Sequence, residues 1–345
     1  MTKSEVEFEL HMMGFANTFG RDFLVDACLL YAGGMHQMQD IIAKISENTG
    51  FGERNIYSKM TAALQTGDIQ GTYGLQYDNY PLFENNPDYT INSCATSRCF
   101  FGQFNMESEL MQDQNIRKAV EMGIDKEGFC SVIMQGRGVP AKAAFPSSFS
   151  YGNDAVETVS YDPDGAKKLL EDSGWTDTDG DGYVDKDGEK LSINWLTYPT
   201  RLEQPKLAEY AQATLKDIGI DVQVNNTSDH RTFAENGDFD VYVSSTTTAP
   251  TGDSEYFFTS TVVGSKNYGK YQNDEVTKLT EKLHQTFDKD ERGKLAVELQ
   301  QDILDDDAFF FVSHLNMGIV TKSNVKGMAA HPCDYYEITA ELDVE

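Results

Sequence analysis

The stretch from Phe100 to Val132 constrains the fold of this chain more than any other. It opens as F-F-G-Q-F-N, an aromatic-rich run with the character of a buried strand ending at Asn105. After a polar break over Glu107–Gln114, Ile116, Ala119, Val120, Gly123 and Ile124 recur at helical spacing. Asp113 stands where a helix N-cap belongs and Asp125 marks a second start, so the pattern predicts a strand feeding two short helices in a mixed α/β protein.

Further along, the same alternation repeats. Tyr57–Gln65 has helical spacing closed by Thr66-Gly67, and Asp68–Leu75 alternates like a strand. Asp162-Pro163 opens a helix that Gly174 ends. Leu191–Leu196 reads as a strand, Leu202–Leu215 as an amphipathic helix, and Ile220–Val224 and Phe239–Ser245 as strands. Two helices follow, to about Phe287 and over Asp288–Asp306, and then an apolar strand, Ala308–Val312, whose Phe309, Phe310 and Phe311 are expected in the core. Strands alternating with helices imply an α/β lobe of parallel type, with ligand loops at the carboxyl ends of its strands. Residues 1–55 are harder to read: Phe23–Tyr31 and Met35–Ile45 have helix-like spacing around Gly33-Gly34.

Length and charge narrow the function. A chain of 345 residues suggests two lobes. Its 56 acidic and 28 basic side chains give a formal charge of −28, which disfavours binding to nucleic acid or to anionic membranes and favours cationic ligands through the long-range field. No apolar run reaches the ~20 residues needed to span a bilayer. The start, M-T-K-S-E-V-E-F-E-L-H, lacks the pattern of a secretory signal, so an exported form would have had its targeting segment removed or lost. Five cysteines do not make a disulfide scaffold. If Tyr89–Ser93 and Phe100–Phe104 form a hairpin, Cys94 and Cys99 would face each other across its loop; a bridge and two reduced thiols are the alternatives there.

Several segments, in order, resemble the family 5 extracellular solute-binding proteins. They include A-L-Q-T-G-D-I-Q-G from Ala63, F-G-Q-F-N with Q-N-I-R-K-A-V-E-M-G-I-D-K-E-G-F, Y-D-P-D-G-A-K-K-L-L-E-D-S-G-W from Tyr161, Q-A-T-L-K-D-I-G-I-D-V-Q-V from Gln212, and Y-Q-N-D-E-V from Tyr271. The resemblance covers about Ile56–Glu345 and implies a two-lobe fold of the type II periplasmic-binding-protein class, with lobe I incomplete. Residues 56–110 would be the remainder of lobe I with the hinge, 111–320 lobe II and 321–345 a return to lobe I, leaving 1–55 unassigned. It further implies a non-enzymatic receptor of an ABC importer, monomeric and either periplasmic or anchored outside the membrane. That receptor would capture a peptide, a nickel chelate or a related polar solute and pass it to the permease subunits.

Under that resemblance the solute contacts are expected at strand ends: Tyr198 and Arg201 after one strand, and Thr247, Thr248, Thr251 and Asp253 after another; Asn105 and Tyr77 are the further candidates. Arg201 could pair with a ligand carboxylate or stand as a solvated loop residue. Tyr73, Tyr77, Tyr80 and Phe83 could line a cleft or pack a core. The acid that peptide-binding members generally place upstream of Gly-Asp-Pro falls near Pro250 and is missing, whereas Thr248-Ala-Pro250 is closer to the nickel class.

Other chemistries compete for the same residues. Asp177, Asp179, Asp181 and Gly182 match the first positions of a calcium loop and Asp185 its ninth, but Gly188 replaces the bidentate Glu; the alternative is an acidic, glycine-rich hairpin. His331-Pro-Cys-Asp could add to a transition-metal site if His314 or His230 joined it, or be a capped turn. A hydrolase would need a nucleophile such as Cys94, Cys99 or Cys130, yet no Gly-x-Ser-x-Gly or His-Glu-x-x-His occurs. Gly264, Gly269 and Lys270 have P-loop spacing, but Tyr271 stands where Ser or Thr would hold magnesium. A calcium-dependent interaction protein and a shortened, non-binding family member are the remaining alternatives.

Overall fold

The computed structural model describes residues 61–344 apart from 74, 76, 202 and 334–339. The helical spacings within 1–55 therefore lie outside the described residues, as do Tyr57–Met60, Asp334 and the side chain of Tyr73. The chain forms two compact units. One comprises 1–94, 317–331 and 336–345, and the other 95–316 and 332–335. The boundaries fall inside two long strands, so 95–110 belong with the second unit and 317–320 with the first.

In the first unit the helical residues 61–66 stop at Gly67, whose φ of +83° only glycine adopts without cost. Strand β1 (Gly71–Tyr73) then pairs antiparallel with the far end of a long strand, Gly71 opposite Thr321. Leu64, Leu75, Tyr80, Phe83 and Val320 form the core, with Tyr77 packed against it. Tyr80 and Phe83 thus belong to a packing cluster, and Tyr77, partly buried, packs against it.

The second unit is a mixed sheet covered on both faces. Strand β2 (Tyr89–Phe104) enters from the first unit, followed by helix α1 (Gln114–Met122), strand β3 (Gly138–Pro140) and helix α2 (Pro163–Asp172). A small hairpin of β4 (Asp185–Lys186) and β5 (Glu189–Lys190) precedes β6 (Ser192–Thr197), α3 (Glu203–Lys216), β7 (Asp221–Asn226), α4 (His230–Asn236) and β8 (Val241–Thr247). Helices α5 (Asp274–Gln285) and α6 (Lys289–Asp305) lead into β9 (Phe309–Lys322). The strand order runs β9-β2-β8-β6-β7. The lobe is parallel only in β7-β6-β8; β2 lies antiparallel to β8, with Phe100 opposite Ser245.

Helix caps follow the sequence signals. Asp113 accepts the Asn115 N–H at 2.9 Å, Asp125 accepts that of Gly128 at 2.8 Å, and Asp162 accepts that of Gly165 at 2.9 Å with Pro163 in the first turn. Asp162→Ala is expected to cost about 1 kcal/mol, read as a lower urea midpoint at unchanged slope.

Two segmentations differ from the sequence pattern. Tyr89–Ser93 and Phe100–Phe104 are one continuous strand, not a hairpin, and the apolar strand expected to end at Val312 runs on as β9 to Lys322. Thr96 and Ser97, in the expected hairpin loop, and Ser313-His314, beyond the expected strand end, are buried and continue the ladder. Cys94 and Cys99 sit five places apart along one strand, roughly 16 Å at the rise of an extended chain, and on opposite faces; both stand as thiols.

Because both faces are covered, alternate residues enter different cores. Phe309 and Phe311 pack with Phe101 and Phe257, while Phe310 turns to Phe104 and Trp195, with ring centroids 5.2 and 5.9 Å away. All three consecutive phenylalanines are buried, as their sequence position led us to expect.

Candidate functional site

Strand β6 lies between β7 and β8, its two parallel neighbours. The chain leaves β6 to one side, through α3 to β7, and then crosses to the other side through α4 to reach β8. Such a reversal opens a crevice at the strands' carboxyl ends, the usual ligand position in open α/β sheets. Here those ends carry Thr197, Tyr198, Arg201 and Thr247.

Strand β6 ends before β8 does, and side chains replace the missing ladder. The Thr197 hydroxyl donates to the Val243 carbonyl at 3.2 Å, and the Tyr198 hydroxyl accepts the Ser245 N–H at 3.2 Å. The Tyr198 ring lies over the His230 imidazole with centroids 4.3 Å apart, and His230 Nδ1 meets the Tyr242 hydroxyl at 2.7 Å. Burial lowers the His230 pKa to about 4, and the Arg231 charge acts in the same direction, so the ring is neutral. Tyr198 is therefore a structural member of the strand ends.

The remaining expected residues divide sharply. The Asn105 amide donates to the Gly237 and Phe239 carbonyls at 3.1 and 2.9 Å, and its oxygen accepts the Glu107 N–H. It fastens the end of β2 at the rim of a polar cavity of about 520 Å³ that Asn194, Asn225, Asp238 and Asp240 also line. The Thr248 hydroxyl lies 2.9 Å from the Ser97 carbonyl and 2.7 Å from the Ala144 carbonyl, so it anchors the loop. Asp253 is held by the Arg292 guanidinium through both oxygens, at 2.9 and 2.5 Å. Thr251 is exposed. Arg201 is buried, 7% exposed, which excludes the solvated-loop reading.

Thr247 is different. Its hydroxyl is buried and has no hydrogen-bond partner among the described residues. Its cross-strand neighbour is Arg98, also buried. A buried polar group left unsatisfied is uncommon and calls for a reason. Sequence reading missed Arg98, Thr197 and His230 as parts of these strand ends; the only signal for Arg98 was that two residues directly opposed in a ladder share a face.

The acidic hairpin brings carboxylate oxygens of Asp177, Asp179 and Asp185 within 4.8 Å of one another. These groups are used by the loop itself. Asp177 accepts the Gly180 and Gly182 N–H groups, Asp185 accepts from Thr178, and Asp181 is paired with Lys190 at 2.5 Å. With position 12 a glycine at φ +84°, the chain supplies the shape of an acidic, glycine-rich turn without a completing ligand.

The transition-metal grouping does not assemble among the described residues. His314 is fully buried with Nε2 at 3.2 Å from Asn153, His230 is engaged with Tyr242, and His331 is exposed in the first unit. Nor do Cys99 and Cys130 resemble activated nucleophiles. Burial pushes the Cys99 pKa well up, and that of Cys130 to about 11.

A family model described as "Bacterial extracellular solute-binding proteins, family 5 Middle" matches residues 56–269. The chain is 29% identical over 286 residues to the oligopeptide-binding protein AppA of Bacillus subtilis, covering 80% of this chain and 52% of that protein. It is 24% identical over 280 residues to the nickel-binding periplasmic protein of Escherichia coli, covering 78% and 53%. The solved structure of a nickel ABC transporter protein of Bacillus halodurans superposes with a TM-score of 0.71 at 27% identity, covering 82% of this chain and 60% of that one. The chain thus spans about half the length of the curated relatives it matches. With the family model spanning well over half its residues, the chain belongs to the family 5 bacterial extracellular solute-binding proteins.

Proposed function

We propose that this protein is the solute-binding component of an ABC importer, acting outside the cytoplasmic membrane as a monomer that hands its ligand to the permease subunits. The second unit offers the solute contacts at the carboxyl ends of β6 and β8. The observation that carries this reading is the Thr247 hydroxyl, buried beside Arg98 with its hydrogen-bonding capacity unspent. Tyr198 and Arg201 complete the wall, and the exposed Thr251 supplies a further hydroxyl.

Relatives named for oligopeptides and for nickel leave two solute classes in view. The loop after β8 favours a nickel chelate or another small polar solute: it has no acid at Pro250, and Asp253 is occupied by Arg292. Nickel would enter as part of the cargo. No described helix is long and apolar enough to cross a membrane.

Native mass spectrometry and thermal unfolding with trialanine, dipeptides and the nickel–histidine complex test the reading. A true ligand at a hundredfold excess over Kd adds about 2.7 kcal/mol, seen as a rise of several degrees in Tm. Thr247→Val should weaken that ligand about tenfold while leaving the unliganded Tm unchanged or higher, because it removes a hydroxyl that has no partner. No bound mass and no shift across the panel would overturn the proposal.

A further inference from the structure

Arg292, on α6, spends every donor of its guanidinium on two other segments. Nε and Nη2 grip both oxygens of Asp253 at 2.9 and 2.5 Å, and Nη2 also reaches Glu255 at 2.9 Å. Nη1 donates to the Leu283 and Thr286 carbonyls at 2.7 and 2.6 Å, capping the end of α5. The Arg292 side chain is only 15% exposed, whereas Asp253 is 43% exposed. Exposed ion pairs contribute little as a rule, but a bidentate fork whose remaining donors are fixed by carbonyls is the geometry that does hold.

The loop this grip holds is Thr248–Ser254. Its other fastenings are the Thr248 hydroxyl on Ser97 and Ala144, and the Tyr151 hydroxyl, which donates to the Gly252 carbonyl at 2.8 Å. Gly252 turns the chain at φ +78°. Within Thr248–Ser254, Asp253 is the one acidic residue. A cationic group of a solute arriving at this loop therefore has one carboxylate to meet, and Arg292 already occupies both of its oxygens.

We propose that Arg292 is a positioning and specificity-determining residue for solute binding: it sets the Thr248–Asp253 loop and neutralises its carboxylate, so that the loop accepts solutes presenting no free ammonium group to it. The inference rests on the reading of Thr247 and Thr251 as solute contacts. The ammonium of a peptide would have to displace a bidentate guanidinium, whereas hydroxyl and carboxylate groups need only the threonines and the backbone.

The test compares trialanine, N-acetyl-trialanine and the nickel–histidine complex on the full chain by calorimetry, with hydrogen exchange at the Gly252 and Glu255 amides as a readout independent of ligand. The wild type should bind N-acetyl-trialanine at least as tightly as trialanine, since the loop offers no free carboxylate to an ammonium. Arg292→Gln should favour the free amine over the acetylated peptide by about tenfold, and Arg292→Gln combined with Asp253→Asn should lose that gain. Arg292→Lys keeps the charge and should stay near the wild-type ratio, with the loop amides exchanging faster in Arg292→Gln than in Arg292→Lys. A wild type that prefers the free amine tenfold, or a ratio that does not move in Arg292→Gln, overturns the proposal alone. Probes that bind no variant overturn it together with the solute-binding reading.

Discussion

Gly102→Ala is expected to be among the most damaging single-methyl changes in this protein, lowering stability by about 3 kcal/mol and Tm by roughly 5 to 10 °C. Gly102 lies inside β2, and a Cβ built there would sit 2.1 Å from ring atoms of Phe310. The ring cannot give way. Phe310 is fully buried between Phe104 and Trp195, and Phe104 and Trp195 are themselves closed over. Overpacking in such a place forces the strand or the ring off its minimum. Phe310→Leu, destabilising alone, should recover part of the loss when combined with Gly102→Ala, giving a favourable coupling energy in a double-mutant cycle. If the two changes add without coupling, the contact is not the cause.

The second large effect is a dependence on pH. His314 is fully buried on β9, and burial holds its pKa at about 3, against an ordinary 6.5; the Ala143 and Phe145 carbonyls oppose the shift without reversing it. The unfolded chain therefore binds a proton near 6.5 that the folded chain refuses until about 3. Stability from this group is complete above the ordinary value and falls as pH drops below it, by about 1.4 kcal/mol per pH unit. His230, lowered to about 4, adds a smaller contribution of the same sign. Asp307 and Asp302, raised chiefly by burial, act in the opposite direction once the pH nears the carboxylate range. Between pH 6.5 and 5 the His314 contribution alone is about 2 kcal/mol, so urea midpoints should fall across that window. His314→Gln should remove about one proton's worth of the slope even if it lowers the whole curve. A wild-type midpoint that is flat from pH 7 to 5 would contradict the assignment.

Both effects come from sites where sequence gave little warning. Gly102 read as one residue of an aromatic strand, and nothing local showed which ring it faced. The strand pattern ahead of Ser313-His314 stops at Val312, and nothing local shows that this pair continues it. In the structure it is buried ladder, because β2 and β3 flank β9 there and supply the backbone hydrogen bonds that a polar residue in the interior needs.

The candidate site divides in the same way. Thr247, Tyr198 and Arg201 could be chosen from sequence because strand ends in an α/β pattern are legible from periodicity alone. Thr248 and Asp253 belonged to the same threonine-rich run, yet their polar atoms are spent on Ser97, Ala144 and Arg292, residues as much as 151 positions away. Tyr80 and Phe83 were aromatic in either case, and only the cluster they form with Leu64, Leu75 and Val320 assigned them to a core.

What the sequence determined by itself was local and periodic: the caps at Asp113, Asp125 and Asp162, the strand–helix–strand run from β6 through α3 to β7, and the ordered motifs that carry the family. Each depends on neighbours within a turn or a pleat, where covalent connection settles the geometry. Tertiary structure alone decided that β2 and β9 run unbroken, that β6 is the strand where the order reverses, and which hydroxyls and carboxylates are already taken. Those outcomes depend on partners brought together from distant parts of the chain, and a hydrogen bond, once given to one of them, is no longer available to a ligand.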